Sequence, residues 1–212
     1  MTAIIDYGVG NLFSLKSSLQ YIGQEAVVTG DADEIGACER VILPGVGAFG
    51  DAADKLRSGG LDDVVRAQAA AGKPLLGICL GMQLLFERGY EYGVHEGLGL
   101  IPGEVTPIEP VIPGGYKIPH IGWNGLNFPE DRPKSAIFEY IEAGENVYFV
   151  HSYHASGCDG SVIATAEYGA PLTAAAARGN VYGTQFHPEK SGPVGLRILR
   201  AFCRLSAEGG AL

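Results

Sequence analysis

Gly77-Ile78-Cys79-Leu80-Gly81 sets a cysteine between two glycines, directly after the apolar run Pro74-Leu75-Leu76. A buried strand that stops at a small-residue turn and restarts as a helix would present the Cys79 sulfur at the helix N-terminus. That is a nucleophile elbow with cysteine in place of serine. The thiolate is the attacking species, and a free cysteine with a pKa near ~8.5 is ionised only to a few per cent at neutral pH. A helix dipole and a neighbouring histidine would raise that fraction. The same spacing also fits a tightly packed strand-to-helix junction, so the nucleophile needs a base. His187-Pro188-Glu189 supplies a candidate. Proline excludes helix at His187 and predicts an extended segment, with residues 187 and 189 on one side. The Glu189 carboxylate could then hold the imidazole in one tautomer, the role of the third member of a catalytic triad. His95, His120, His151 and His154 lack such a local carboxylate and are expected to be satisfied surface or core residues.

The elements that must position these groups follow from pattern. Ala3 to Asp6 is a short apolar strand, and Gly8-Val9-Gly10-Asn11 is a turn leading to a helix over Leu12 to Tyr21, with apolar residues at 12, 15 and 19 on one face. The third glycine of a dinucleotide-binding loop is absent, since Phe13 stands there, so this loop is expected to be structural or partner-facing. Further strands are expected at 26–28, 41–43, 147–150, 162–164, 172–175 and 181–186, with one or two helices over 51–71 and helices after Cys79 and over 192–205. Residues 98–127 predict short antiparallel pieces added to the main sheet. The whole describes one α/β domain over 1–212: an open, mostly parallel sheet with helices on both faces and a small added antiparallel region.

In such a sheet ligands sit beyond the carboxyl ends of the strands. Pro44-Gly45-Val46-Gly47 ends a strand there, and a Pro/Gly loop lets backbone N–H groups face a ligand. Acyl transfer needs such donors for its oxyanion, each worth about 3–4 kcal/mol. Leu80 N–H, next after the nucleophile, is one, and the loop through Val46 and Gly47 is the other. Gln83 follows Cys79 by one helical turn and can overlook the same space. Together these features point to thioester chemistry on a small acyl substrate.

Composition removes other classes. Hydrophobic residues make up 46% and charged residues 18%, as in globular proteins. A net charge of −9 without a Lys/Arg cluster argues against nucleic acid. No apolar run is long enough to span a bilayer and no signal peptide is evident, so a cytoplasmic protein is expected. Cys38, Cys79, Cys158 and Cys203 show no metal-ligand spacing, so neither metal nor disulfide is expected.

Gly77-Ile78-Cys79-Leu80-Gly81-Met82-Gln83 and His187-Pro188-Glu189 resemble the motifs of class I, triad-type glutamine amidotransferases. More narrowly, residues 6–11, 44–47, 117–124, 148–153 and 187–191 resemble the glutaminase subunits of imidazole glycerol phosphate synthases. The resemblance implies that Cys79 attacks the side-chain amide of L-glutamine, that His187 protonates the departing ammonia, and that no cofactor is used. It implies that Gly47, Gln83 and Glu91, with backbone of Ser152 and Tyr153, hold glutamine, Glu91 meeting the α-ammonium. Ammonia would pass to a (β/α)₈-barrel cyclase subunit in a heterodimer. That subunit would form imidazole glycerol phosphate and aminoimidazole carboxamide ribonucleotide in histidine biosynthesis. Asn11, His120, Trp123 and Lys190 are expected near the interface. A glutaminase of another synthase, a cysteine peptidase, a silent docking subunit and a redox-sensing cysteine protein are the alternatives.

Overall fold

The computed structural model describes residues 1–206. Its first half alternates strand and helix: β1 (Thr2–Ile5), α1 (Leu12–Tyr21), β2 (Ala26–Thr29), α2 (Ala32–Ala37), β3 (Arg40–Leu43), α3 (Phe49–Ser58), α4 (Leu61–Ala70), β4 (Leu75–Ile78) and α5 (Leu80–Leu84). Strands then dominate: β5 (Arg88–Gly89), β6 (His95–Glu96), β7 (Glu104–Pro107), β8 (His120–Asn127), β9 (Asn146–His151), β10 (Tyr153–Ser156), β11 (Val162–Glu167), β12 (Pro171–Arg178) and β13 (Val181–Thr184). Helix α6 (Gly192–Cys203) follows.

The main sheet has nine strands in the order β2-β1-β3-β4-β13-β12-β11-β8-β9. The members from β2 to β13 pair in parallel, whereas β12, β11, β8 and β9 are joined antiparallel. The antiparallel extension is therefore larger than the sequence suggests. A second sheet, β10-β7-β5-β6, stands apart from the first, where the sequence predicts pieces added to one sheet. The separation arises at Ser152, between β9 and β10: Ser152 O accepts from Ile108 N (3.0 Å), and Tyr153–Ser156 pairs with β7 instead of continuing beside β8.

Period-two alternation sorts the strands' side chains into two cores. Ala3, Ile5, Val41, Leu43 and Leu75 face the layer that holds Phe49, Leu56, Val65 and Met82. Ile4, Ile42, Leu76 and Ile78 face the layer that holds Leu15, Leu19, Ile198 and Phe202. Helix α1 begins where Asn11 Oδ1 accepts from Ser14 N (3.4 Å). Helix α2, which the sequence pattern does not predict, is short and is started by Asp31, whose Oδ1 accepts from Asp33 N (3.0 Å) and Glu34 N (2.9 Å). The three strand ends that matter lie side by side: Leu43 is in register with Gly77, and Thr184 with Ile78. The residues after β3, β4 and β13 are Pro44–Gly47, Cys79 and Gln185–His187, so topology alone delivers a loop, a thiol and a base to one rim.

Candidate active site

Cys79 sits between β4 and α5 at φ 53°, ψ −110°, a conformation costly for a residue with a Cβ. The flanking glycines make the turn possible. A Cβ at Gly81 would stand 1.9 Å from Leu43 O, and one at Gly77 would stand 2.7 Å from Gly81 O. The strained backbone is held by Cys79 N donating to Thr184 O (2.7 Å) and by Gln83 N donating to Cys79 O (3.1 Å). The sulfur lies 4.0 Å from Val150 O and 3.8 Å from Gln185 Nε2.

His187 Nδ1 is 2.8 Å from Glu189 Oε1, and both side chains are almost fully buried. The contact is made differently from the sequence expectation. His187 is extended, but Pro188–Lys190 forms a 3-10 turn with proline at its first position, where a missing N–H costs nothing. That turn, not a straight strand, brings Glu189 back onto the imidazole. Ser191 Oγ donates to His187 O (2.6 Å) and accepts from Tyr148 N (3.0 Å), and His187 N donates to Tyr148 O (3.0 Å). Burial alone would lower the pKa of His187. Hydrogen bonds and charge from Cys79 and Glu189 outweigh it and raise the value to about 9.

Leu80 opens α5, so its N–H belongs to the first turn, where a helix offers no internal acceptor. Opposite it, Gly45 fits only as glycine: a Cβ there would meet Gly81 N and Tyr7 Oη at 2.8 Å. The buried Tyr7 hydroxyl donates to Pro44 O (2.8 Å) and fixes the start of the loop. Burial, and then the nearby Cys79, push the Tyr7 phenol pKa upward, so it remains a donor. Gly47 has φ +100°.

A cavity of about 370 Å³ opens over the sulfur. It is lined by Val46, Gly47, Leu80, Gln83 and Glu91, by Ser152 and Tyr153, and by His187 and Lys190. Every residue expected to carry the reaction or hold the substrate therefore meets in one space, apart from Glu189 behind His187. Glu91 Oε2 accepts from Phe49 N (2.7 Å), capping α3, and its other oxygen remains for a cation. Gln83 Nε2 donates to Tyr153 O (3.3 Å) and Gln185 Oε1 (3.1 Å), so only its carbonyl oxygen is left for a ligand N–H. Gln185, fully buried, was not predicted. Its signal in the sequence is one polar residue inside an otherwise small or apolar strand end.

The four expected interface residues separate. Trp123 is 54% exposed and packs edge-on against Tyr148, and Lys190 is exposed at the cavity. Asn11 is half-buried and spends its side chain capping α1. His120 is a correction: it is 1% exposed, its ring bonded to His151 Nε2 (3.0 Å) and Asn124 Oδ1 (2.8 Å) and stacked on Phe149 and Tyr168. In β8, positions 120 and 123 must face opposite sides, so His120 turns inward as Trp123 turns out. Among the described residues no cluster of side chains is suited to a metal ion, and no helix is long and apolar enough to cross a membrane.

The chain is 46% identical over 209 residues to the imidazole glycerol phosphate synthase subunit HisH of Rhodopirellula baltica, a match covering 98% of this chain and 99% of that one. It is 48% identical over 202 residues to the subunit of the same name from Bacillus cereus, covering 95% and 93%. Two solved structures share the fold. One, described as a glutamine amidotransferase, has a TM-score of 0.72 at 20% identity, covering 94% of this chain and 96% of that one. The other, PurLQS from Thermotoga maritima, has a TM-score of 0.72 at 23% identity, covering 95% and 96%. The family model for glutamine amidotransferase class-I matches residues 3–205, and with this span the chain belongs to the class-I glutamine amidotransferase family.

Proposed function

We propose that this protein is the glutaminase subunit of an imidazole glycerol phosphate synthase in histidine biosynthesis, hydrolysing L-glutamine and passing ammonia to a (β/α)₈-barrel cyclase subunit. The observation that carries the chemistry is the His187–Glu189 pair at 2.8 Å beside a cysteine on a strained elbow. With a pKa of about 9, His187 is protonated at neutral pH and stands beside Cys79 as an acid. The thiolate forms a bond to the amide carbon, and the oxyanion is met by the Leu80 N–H and the Val46–Gly47 loop. The C–N bond breaks as His187 gives its proton to the leaving nitrogen. Neutral His187 then takes a proton from water, whose oxygen attacks the thioester. Glutamate leaves and the thiolate and imidazolium are restored. Glu91 is suited to the α-ammonium and the Gln83 carbonyl to another substrate N–H.

A separate cyclase subunit fits the surface. Val46 and Pro119 line the cavity, and Val46, Ile118, Ile121 and Trp123 are exposed large hydrophobic side chains in the same two segments. The matched relatives carry the word subunit in their names. The test is reconstitution with the cyclase. Cys79→Ala should abolish glutamine-dependent product formation while product formation from added ammonia survives. Retained glutamine-dependent turnover in that variant would remove Cys79 from the reaction.

A further inference from the structure

We propose that Gln185 is a catalytic residue, its side-chain amide acting as the hydrogen-bond donor that holds the Cys79 sulfur in its ionised form. The inference rests on Cys79 being the nucleophile and adds a residue to its site.

The orientation of the amide follows from its neighbours. Tyr153 O can only accept, so the group that Gln83 presents to it at 3.3 Å is the amide nitrogen. The same nitrogen lies 3.1 Å from the Gln185 side chain, which must therefore turn its oxygen toward Gln83. What remains for the sulfur, at 3.8 Å, is Gln185 Nε2 with its hydrogens. The chain of contacts runs one way, from a main-chain carbonyl through two amides to the thiol. Flipping Gln83 would set its oxygen against Tyr153 O, and flipping Gln185 would set its nitrogen against Gln83 Nε2, so neither amide can turn over. Gln185 is fully buried, and its own main-chain N–H donates to Ala174 O (2.8 Å) on β12, so the side chain starts from a fixed point.

The sulfur consequently has two kinds of neighbour. Val150 O, at 4.0 Å, can only accept and serves the neutral thiol. Gln185 Nε2 can only donate and serves the thiolate. Ionisation exchanges one partner for the other without movement of the backbone. The same donor faces the sulfur when the thioester breaks and the pair of electrons returns to it, so Gln185 assists departure of the thiolate in the hydrolytic half of the cycle. His187 cannot do this alone, because at that stage its imidazole is engaged with the attacking water.

The test is alkylation of Cys79 by iodoacetamide across pH, with the modified peptide identified by mass spectrometry. It requires no glutaminase turnover, so it remains informative even if the proposed substrate were wrong. Cys38, Cys158 and Cys203 are buried away from the cavity. In Gln185→Met, which keeps the length of the side chain and removes the donor, alkylation at neutral pH should slow about tenfold and its pH profile should move up by about one unit. With the partner bound, kcat for glutamine should fall while KM stays. Gln83→Leu, which leaves the donor but frees it to rotate, should move the profile in the same direction by less. A wild-type alkylation profile in folded Gln185→Met overturns the proposal. If that variant does not fold, an unchanged profile in Gln83→Leu does so.

Discussion

Replacing Glu189 by glutamine isolates the charge on the triad from its shape. The carboxylate oxygen lies 2.8 Å from His187 Nδ1 with both side chains buried, so the charge centres are roughly 4 Å apart. At an effective dielectric near 20 that attraction is worth about 4 kcal/mol. The glutamine carbonyl oxygen can still accept from Nδ1–H, returning about 1 kcal/mol. The net loss of about 3 kcal/mol corresponds to a fall in kcat of roughly a hundredfold. The pH profile changes as well. His187 is raised to about 9 against its burial by Cys79 and Glu189 together, so without the second the alkaline limb should retreat toward neutral pH. Stability at neutral pH should fall too, because Glu189 helps to raise the His187 pKa and removing one partner of a buried pair leaves the other uncompensated. The assay is glutamine hydrolysis with the liganded cyclase from pH 6 to 10, alongside urea denaturation. Wild-type kcat with an unshifted alkaline limb would refute the claim that Glu189 acts through its charge.

Three other outcomes follow from the same geometry. Because the folded-state pKa of His187 lies above the unfolded value of about 6.5, the native state holds an extra proton between those values. The associated stability, at most about 3 kcal/mol, is complete below pH 6.5 and is lost as pH rises through 9. Urea midpoints should show this loss in the wild type and less of it in Cys79→Ala. Gly81→Ala drives a Cβ to 1.9 Å from Leu43 O, backbone against backbone, and should cost more than about 3 kcal/mol or prevent folding; Gly36→Ala, in open space on α2, should be neutral or slightly stabilising. Glu91→Gln retains an oxygen for Phe49 N but loses the charge for an ammonium, so KM for glutamine should rise about tenfold or more with kcat nearly unchanged, as steady-state kinetics would show.

Much of this arrangement was legible in the sequence because it depends on features that pattern records directly. Buried parallel strands appear as short apolar runs, and their carboxyl ends are marked by Pro44–Gly47, Cys79 and His187. The span of α1 follows from its apolar positions at 12, 15 and 19, and the structure adds the Asn11 cap. What escaped depends on pairing partners. Whether β5, β6, β7 and β10 join the main sheet or form their own is decided by register, which no local pattern carries. The 3-10 turn at Pro188 was likewise hidden, because proline is equally at home in an extended segment and in the first turn of a helix.

His120 and Gln185 escape the sequence pattern for one reason: both are polar groups at, or directly after, a strand, where facing is set by parity. Once 120–127 is a strand, His120 and Asn124 must share a side and Ile121 and Trp123 the other. Ile121 and Trp123 are the exposed pair, and His120 turns inward to His151, which lines the cavity. By the same rule the strand that ends at Thr184 carries its direction into Gln185, and a fully buried amide there demands partners. It finds them in Gln83 and the Cys79 sulfur. A buried polar side chain two residues before His187 is thus a constraint on the Cys79 sulfur, and the elbow has groups on two sides, His187 and Glu189 on one and Gln185 and Gln83 on the other.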